Sequence, residues 1–89
     1  MRRLDLTYDA FGFLKTLPAK QFRQVVTKAF ELMANPEPQD SKPLIGYEYR
    51  RADIGEYRIV YRFDRDLLYV ALIGKRNDSD IYKRLKRKL

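Results

Sequence analysis

The stretch EYRIVYRFDRDLLYVALI, residues 56–73, decides how the rest of the chain is read. In its first half Tyr57, Ile59, Tyr61 and Phe63 alternate with Arg58, Val60 and Arg62. That period of two sends successive side chains to opposite faces of a half-buried strand. The second half, LLYVALI, is apolar at both parities and predicts a central strand covered on both sides. DRD between the two halves and IGE just before them fit hairpin turns, and LIGYEYRRA, residues 44–52, is strand-like as well. Three consecutive strands therefore occupy the second half of the chain.

Upstream the period changes. Phe22, Val25, Val26, Ala29, Phe30 and Met33 recur at spacings of three and four, which predicts an amphipathic helix from Pro18 to Met33. DAFGFLKTL, residues 9–17, carries Ala10, Phe11, Leu14 and Leu17 at the same spacing, and Pro18 separates it from the next segment. A short strand at about residues 2–7 precedes this helical hairpin. NPEPQDSKP, residues 35–43, holds three of the four prolines and reads as an extended loop. At the far end Asn77 is a helix cap, Asp78 and Asp80 suit the first turn, and basic residues fill the last turns, as the helix dipole favours. Ile81, Leu85 and Leu89 form a narrow stripe able to dock on the sheet. The expected class is α+β: a small antiparallel-rich sheet with an N-terminal helical hairpin and a C-terminal helix, in the order β-α-α-β-β-β-α. Residues 1–89 are expected to form one domain, with the helices on one face of the sheet and the other face open. Phe22, Val26, Phe30, Ile59 and Tyr61 are assigned to its core.

Composition narrows the chemistry. The 89 residues are 45% hydrophobic and 35% charged, which fits a globular chain with a thin core. No apolar run approaches the roughly 18 residues that a bilayer requires, and the N-terminus lacks the apolar segment of a signal peptide, so a cytoplasmic location is expected. Cysteine and histidine are both absent. Thiol catalysis, disulfides and the usual zinc ligands go with them, and no cofactor or metal is expected. The formal charge of +7 is uneven: residues 74–89 carry seven Lys or Arg against two Asp, whereas residues 40–73 balance at six of each sign. A field localised in this way suits a polyanion or an acidic protein partner.

Two motifs in this half, IGEYRIVY at 54–61 and GKRNDSDIY at 74–82, acquire meaning from their order and separation. With the element order and the length, they resemble the RelE/ParE superfamily of bacterial and archaeal toxins, and more closely its RelE branch of messenger-RNA-cleaving toxins. The likeness covers nearly the whole chain. It implies a metal-independent endoribonuclease that works in the ribosomal A site and is held inactive by a cognate antitoxin. It also implies site residues: the arginine of the GEYR turn falls on Arg58, that of the GKR triplet on Arg76, the tyrosine opening the last helix on Tyr82, and a further basic position on Arg51. Where the family often has a lysine, this chain has Tyr49.

The residues make chemical sense in those roles. Attack of a 2′-hydroxyl on the adjacent phosphate needs a proton acceptor, cations around the developing phosphorane and a proton for the departing 5′-oxygen. Arginine's planar fork matches phosphate oxygens, so Arg51 and Arg58 are assigned to charge stabilisation and Arg76 to the scissile group or leaving oxygen. Tyr82 is either the base or a stacking platform for a nucleobase. Lys75, Lys83, Arg84, Lys86, Arg87 and Lys88 are expected to follow RNA phosphates, with Tyr49, Arg62 and Lys42 as weaker contacts. Two alternatives remain open: a ParE-like protein that binds DNA gyrase without cutting RNA, and an RNA-binding relative made inactive by the missing lysine. An acidic, amphipathic antitoxin segment is expected to bind near the C-terminal helix.

Overall fold

The computed structural model describes residues 1–77 and 79–88, the side chain of Lys88 excepted. Asp78 and Leu89, assigned above to the start and the apolar stripe of the last helix, lie outside the described residues. The chain runs β1 (Arg3–Leu6), α1 (Tyr8–Lys15), α2 (Ala19–Ala34), β2 (Ser41–Pro43), β3 (Arg50–Ile54), β4 (Tyr57–Phe63), β5 (Leu67–Lys75) and α3 (Asp80–Lys88). The strands form one sheet in the order β1-β5-β4-β3-β2, antiparallel except where β1 lies parallel to β5. The α+β class and the succession of helices and three long strands along the chain are as the sequence predicts.

Strand β5 lies inside the sheet between β1 and β4, and a bulge changes which of its residues serve each face. Val60 pairs with Leu72 but Tyr61 with Val70, leaving Ala71 as the extra residue. The parity of β5 flips there. Leu68, Val70 and Ile73 join one core with Ile59, Tyr61, Leu14, Val25 and Leu32, beneath α1 and α2. Ala71 and Leu72 join a second core with Val60, Tyr49, Leu44 and the α3 residues Ile81 and Leu85. The bulge is tied down locally: the Thr7 hydroxyl donates to the Ala71 carbonyl at 2.7 Å and accepts from the Ala10 N–H at 3.1 Å. One side chain thus caps α1 and anchors β5.

Four expectations change. Helices cover both faces of the sheet, because α3 docks opposite α1 and α2 through Ile81 and Leu85. The loop at residues 35–43 ends in the additional strand β2, which pairs with β3; Pro43 is tolerated there because β2 is an edge. The strand expected over residues 44–52 begins only at Arg50, since Leu44 and Tyr49 close a turn by a 2.9 Å backbone bond and Gly46 takes a φ of +86°. Helix α2 buries Val25, Ala29 and Leu32, which rotates Phe22 and Phe30 out of the core assigned to them. With Phe11 they border an apolar groove of about 210 Å³ between α1, α2 and the strands, lined further by Leu4, Leu6 and Val26. Among the described residues no helix is long and apolar enough to cross a membrane.

Candidate active site

The site begins with the β3–β4 hairpin. Ile54 pairs with Tyr57, so the loop is Gly55-Glu56, and Gly55 supplies the positive φ of +57° that such a tight connection needs. This register sets Asp53 opposite Arg58 and Arg51 opposite Val60. All four belong to the face that α3 covers, because Val60 lies in the second core. Arg50 has the other parity and instead bonds the Ser41 hydroxyl at 3.0 Å.

Asp53 is the hub. Arg58 Nε donates to its Oδ1 at 2.7 Å and Nη2 to its Oδ2 at 3.2 Å, a two-point contact along one edge of the guanidinium. Arg51 Nη1 lies 3.6 Å from the same Oδ2. The hydrogen bond from Arg58, helped by the charges of Arg58, Arg51 and Arg76, holds the Asp53 carboxyl below its ordinary value against the opposing effect of burial. Reciprocally, the Asp53 bond pushes Arg58 up. Arg58 is only 12% exposed in its side chain, so removing Asp53 would leave a poorly hydrated charge without its anionic partner.

Helix α3 brings the phenol. Ser79, not Asn77, stands at its N-terminus, where its carbonyl accepts from the N–H groups of Tyr82 and Lys83 at 3.1 and 3.4 Å. Tyr82 then falls in the first turn, and Arg58 Nη1 donates to its hydroxyl. The glycine of the GKR triplet permits this approach: a Cβ on Gly74 would stand 3.2 Å from Arg84 Nη1 and 3.3 Å from Ile81 Cδ1. Arg76 follows β5 directly, its N–H fixed on the Glu56 carbonyl at 2.9 Å, so the tip of the hairpin and the end of the sheet are joined. Its side chain is exposed.

Arg51 and Arg58 thus meet on one carboxylate and Tyr82 meets Arg58, although they come from β3, β4 and α3, while Arg76, in the turn after β5, adds only a weaker charge effect on Asp53. Sequence reasoning missed Asp53. The signal was present in RRADIGEYR, where an acid and an arginine flank a tight turn at positions that face each other across the hairpin.

Other assigned residues are placed differently. The guanidinium of Arg84 bonds Asp9 of α1 and the Ile73 carbonyl at 3.1 Å, so this cation fastens α3 to the domain and is only 18% exposed. Tyr49 is 6% exposed and packs in the second core. Arg62 is exposed; its guanidinium lies 4.5 Å from the Tyr69 ring centroid and 5.8 Å from that of Tyr49, and it bonds Glu48 at 2.6 Å. Lys42, Lys75, Lys83, Lys86 and Arg87 point their charges into solvent.

Three findings from other proteins bear on this arrangement. The toxin-antitoxin complex RelBE2 from Mycobacterium tuberculosis contains a chain 28% identical to this one, with a TM-score of 0.74 over 84% of this chain and 98% of that one. The isolated RelE toxin of E. coli is 25% identical, with a TM-score of 0.73 over the whole of both chains. A mutant of E. coli RelE in the free state, 22% identical, superposes at a TM-score of 0.80 over 99% of this chain and 98% of that one, which shows the shared fold. No curated protein sequence matches the chain. The model of the family described as the ParE toxin of the type II toxin-antitoxin system, parDE, matches residues 4–79, from β1 through the turn that carries Arg76. The chain accordingly belongs to the RelE/ParE superfamily of toxins from type II toxin-antitoxin systems, in its RelE-like branch.

Proposed function

We propose that this toxin is a metal-independent endoribonuclease that cuts messenger RNA on the ribosome and so stops translation. The observation that carries this reading is the convergence of Arg51 and Arg58 on Asp53 beside the Tyr82 hydroxyl, with Arg76 in the turn joined to the tip of the same hairpin. A protein that only binds a partner has no chemical need for guanidinium groups and a phenol grouped in this way. In the reaction, the 2′-oxygen attacks the adjacent phosphorus, the bond to the 5′-oxygen breaks, and a 2′,3′-cyclic phosphate and a 5′-hydroxyl result. Arg51 and Arg58 stabilise the charge that builds on the phosphorane. Arg76, exposed at the mouth of the cluster, faces the leaving oxygen, and Tyr82 handles the proton of the attacking hydroxyl. Such a set is weak in proton transfer. Rate must then come mainly from orientation, which a ribosome holding the message supplies.

The antitoxin enters on the same footing. Similar chains are found in complex with RelB-type antitoxins, including one from the archaeon Pyrococcus horikoshii. An acidic, amphipathic segment would meet the basic α3, whereas the apolar groove bordered by Phe11, Phe22 and Phe30 lies on the opposite face of the sheet and would take a separate part of the antitoxin. Hydrogen exchange on the complex is expected to show protection at α3; none there removes this part of the proposal.

The test of the reaction is a double substitution, Arg58→Ala with Arg76→Ala. Mapping 5′ ends of cellular messages should give cuts within translated codons for the wild type, reduced at least about a hundredfold in the variant. Equal cleavage of naked and ribosome-bound message would remove the ribosome from the scheme. The name of the matching family model favours a second reading, inhibition of DNA gyrase. Trapped gyrase with intact messages would establish it in place of the nuclease.

A further inference from the structure

Asp53 is an anion at the centre of a site proposed to bind an anion, and its contacts leave a specific part of Arg58 free. A guanidinium has five N–H donors. Asp53 takes Nε–H and one hydrogen of Nη2, and Tyr82 takes one hydrogen of Nη1. One hydrogen on Nη1 and one on Nη2 remain, enough for a two-point contact with a phosphate. We infer that Asp53 is a positioning residue: it grips Arg58 by one edge, aims the rest of the fork and the Tyr82 hydroxyl at the same phosphate, and costs some RNA affinity through its charge. This rests on the nuclease reading above.

Asp53 is poorly suited to two other roles. As a general base it would have to take a proton, yet both its oxygens are engaged by Arg58 and its affinity for protons is depressed. As a simple partner for surplus charge it would not need the two-point geometry, since Arg51 at 3.6 Å makes an ion pair without it. The hairpin supplies the rigidity: Asp53 and Arg58 are directly paired residues, so the β3–β4 ladder fixes the separation of their backbones and keeps the carboxylate within reach of the guanidinium.

The inference predicts an unusual pair of changes. In Asp53→Asn one acceptor survives, the amide nitrogen repels Arg58 Nη2, and the negative charge is gone. On ribosomes carrying a short message, kcat should fall about tenfold to a hundredfold, as for a misaimed catalytic group. KM should fall as well, about two- to fivefold, the size of one partly screened charge. Asp53→Glu keeps the charge but displaces it by a methylene, so KM should return to the wild-type value while kcat stays low. A lower KM with unchanged kcat would mean that Asp53 only repels RNA, and a lower kcat with unchanged KM in Asp53→Asn would mean that it only supports the fold; either result overturns the proposal. The Arg58 Nε–H resonance in the free protein reads the grip without any RNA and should move in Asp53→Asn; an unmoved resonance also overturns it. If the wild type cuts no RNA, the nuclease reading fails separately, and the resonance with the affinity for a short single-stranded RNA decides whether Asp53 holds Arg58 and opposes the polyanion.

Discussion

The face covered by α1 and α2 and the face covered by α3 share strands β4 and β5, yet they are closed in different ways. On the first, a helix of 16 residues and one of 8 bury a broad apolar set that includes Leu14, Val25, Leu32, Ile59 and Tyr61. On the second, a single helix of 9 residues docks through Ile81 and Leu85, and the strand positions beside it carry Arg51, Asp53 and Arg58. Because side chains alternate along β4, Ile59 can satisfy one face while Arg58 serves the other. The proposed chemistry is thereby confined to one side of β4, and a change in the core beneath α1 and α2 should leave that side largely intact.

Leu32→Ala tests that division most severely. Leu32 is fully buried, so its truncation should cost about 2–5 kcal/mol, read as a fall in the urea midpoint. Cleavage per folded molecule should not change. Loss of cleavage under conditions where the variant remains folded would show that the two faces are coupled.

Acid acts on the other face and more gently. The Asp53 carboxyl is held below its ordinary value of 3.8 in the folded chain, chiefly by Arg58. Its contribution to stability is therefore complete above that value and is lost as pH falls through the lower, folded value. The stability difference between wild type and Asp53→Asn should be constant from neutral pH down to the ordinary carboxylate range and shrink below it. A difference that begins to shrink well above that range would mean that the pairing in the hairpin is weaker than its geometry indicates.

How much of this could be read from the residues alone depends on whether the signal was local. The alternation in residues 57–63 and the two-sided apolar run in 67–73 are local properties of a strand, and both became the strands they predict. The resemblance pointed to Arg51, Arg58, Arg76 and Tyr82; that Arg51 and Arg58 share Asp53, and that Arg58 bonds Tyr82, follows from the hairpin register and the docking of α3. What escaped was decided by packing between distant segments. Nothing in SKP announces β2, which exists because β3 offers it an edge. Phe22 and Phe30 have core chemistry but lie at the rim of a groove because α2 is rotated to bury Leu32. Asp53 was legible in principle, since its partner is only five residues away, but an acid among arginines reads as charge balance until the facing pairs of the hairpin are known.

Two arginines of α3 make the smallest and most discriminating test, because they share a residue type, a helix and an expected role and differ only in surroundings. Arg84 is fastened to Asp9 and the Ile73 carbonyl, whereas Arg87 is exposed. Removing Arg84 should strand Asp9 and loosen α3, lowering stability by about 1–3 kcal/mol, while the salt dependence of RNA binding is unchanged. Removing Arg87 should leave stability within about 0.5 kcal/mol and reduce the slope of log affinity against log salt by about 0.7, the release of one counterion from a single strand. Measuring urea midpoints and RNA affinity across a salt series for both variants reads the two effects separately. If both variants shift the slope equally, the internal pairing of Arg84 gives way to RNA, and α3 binds the polyanion as a uniformly basic helix and not through its exposed side alone.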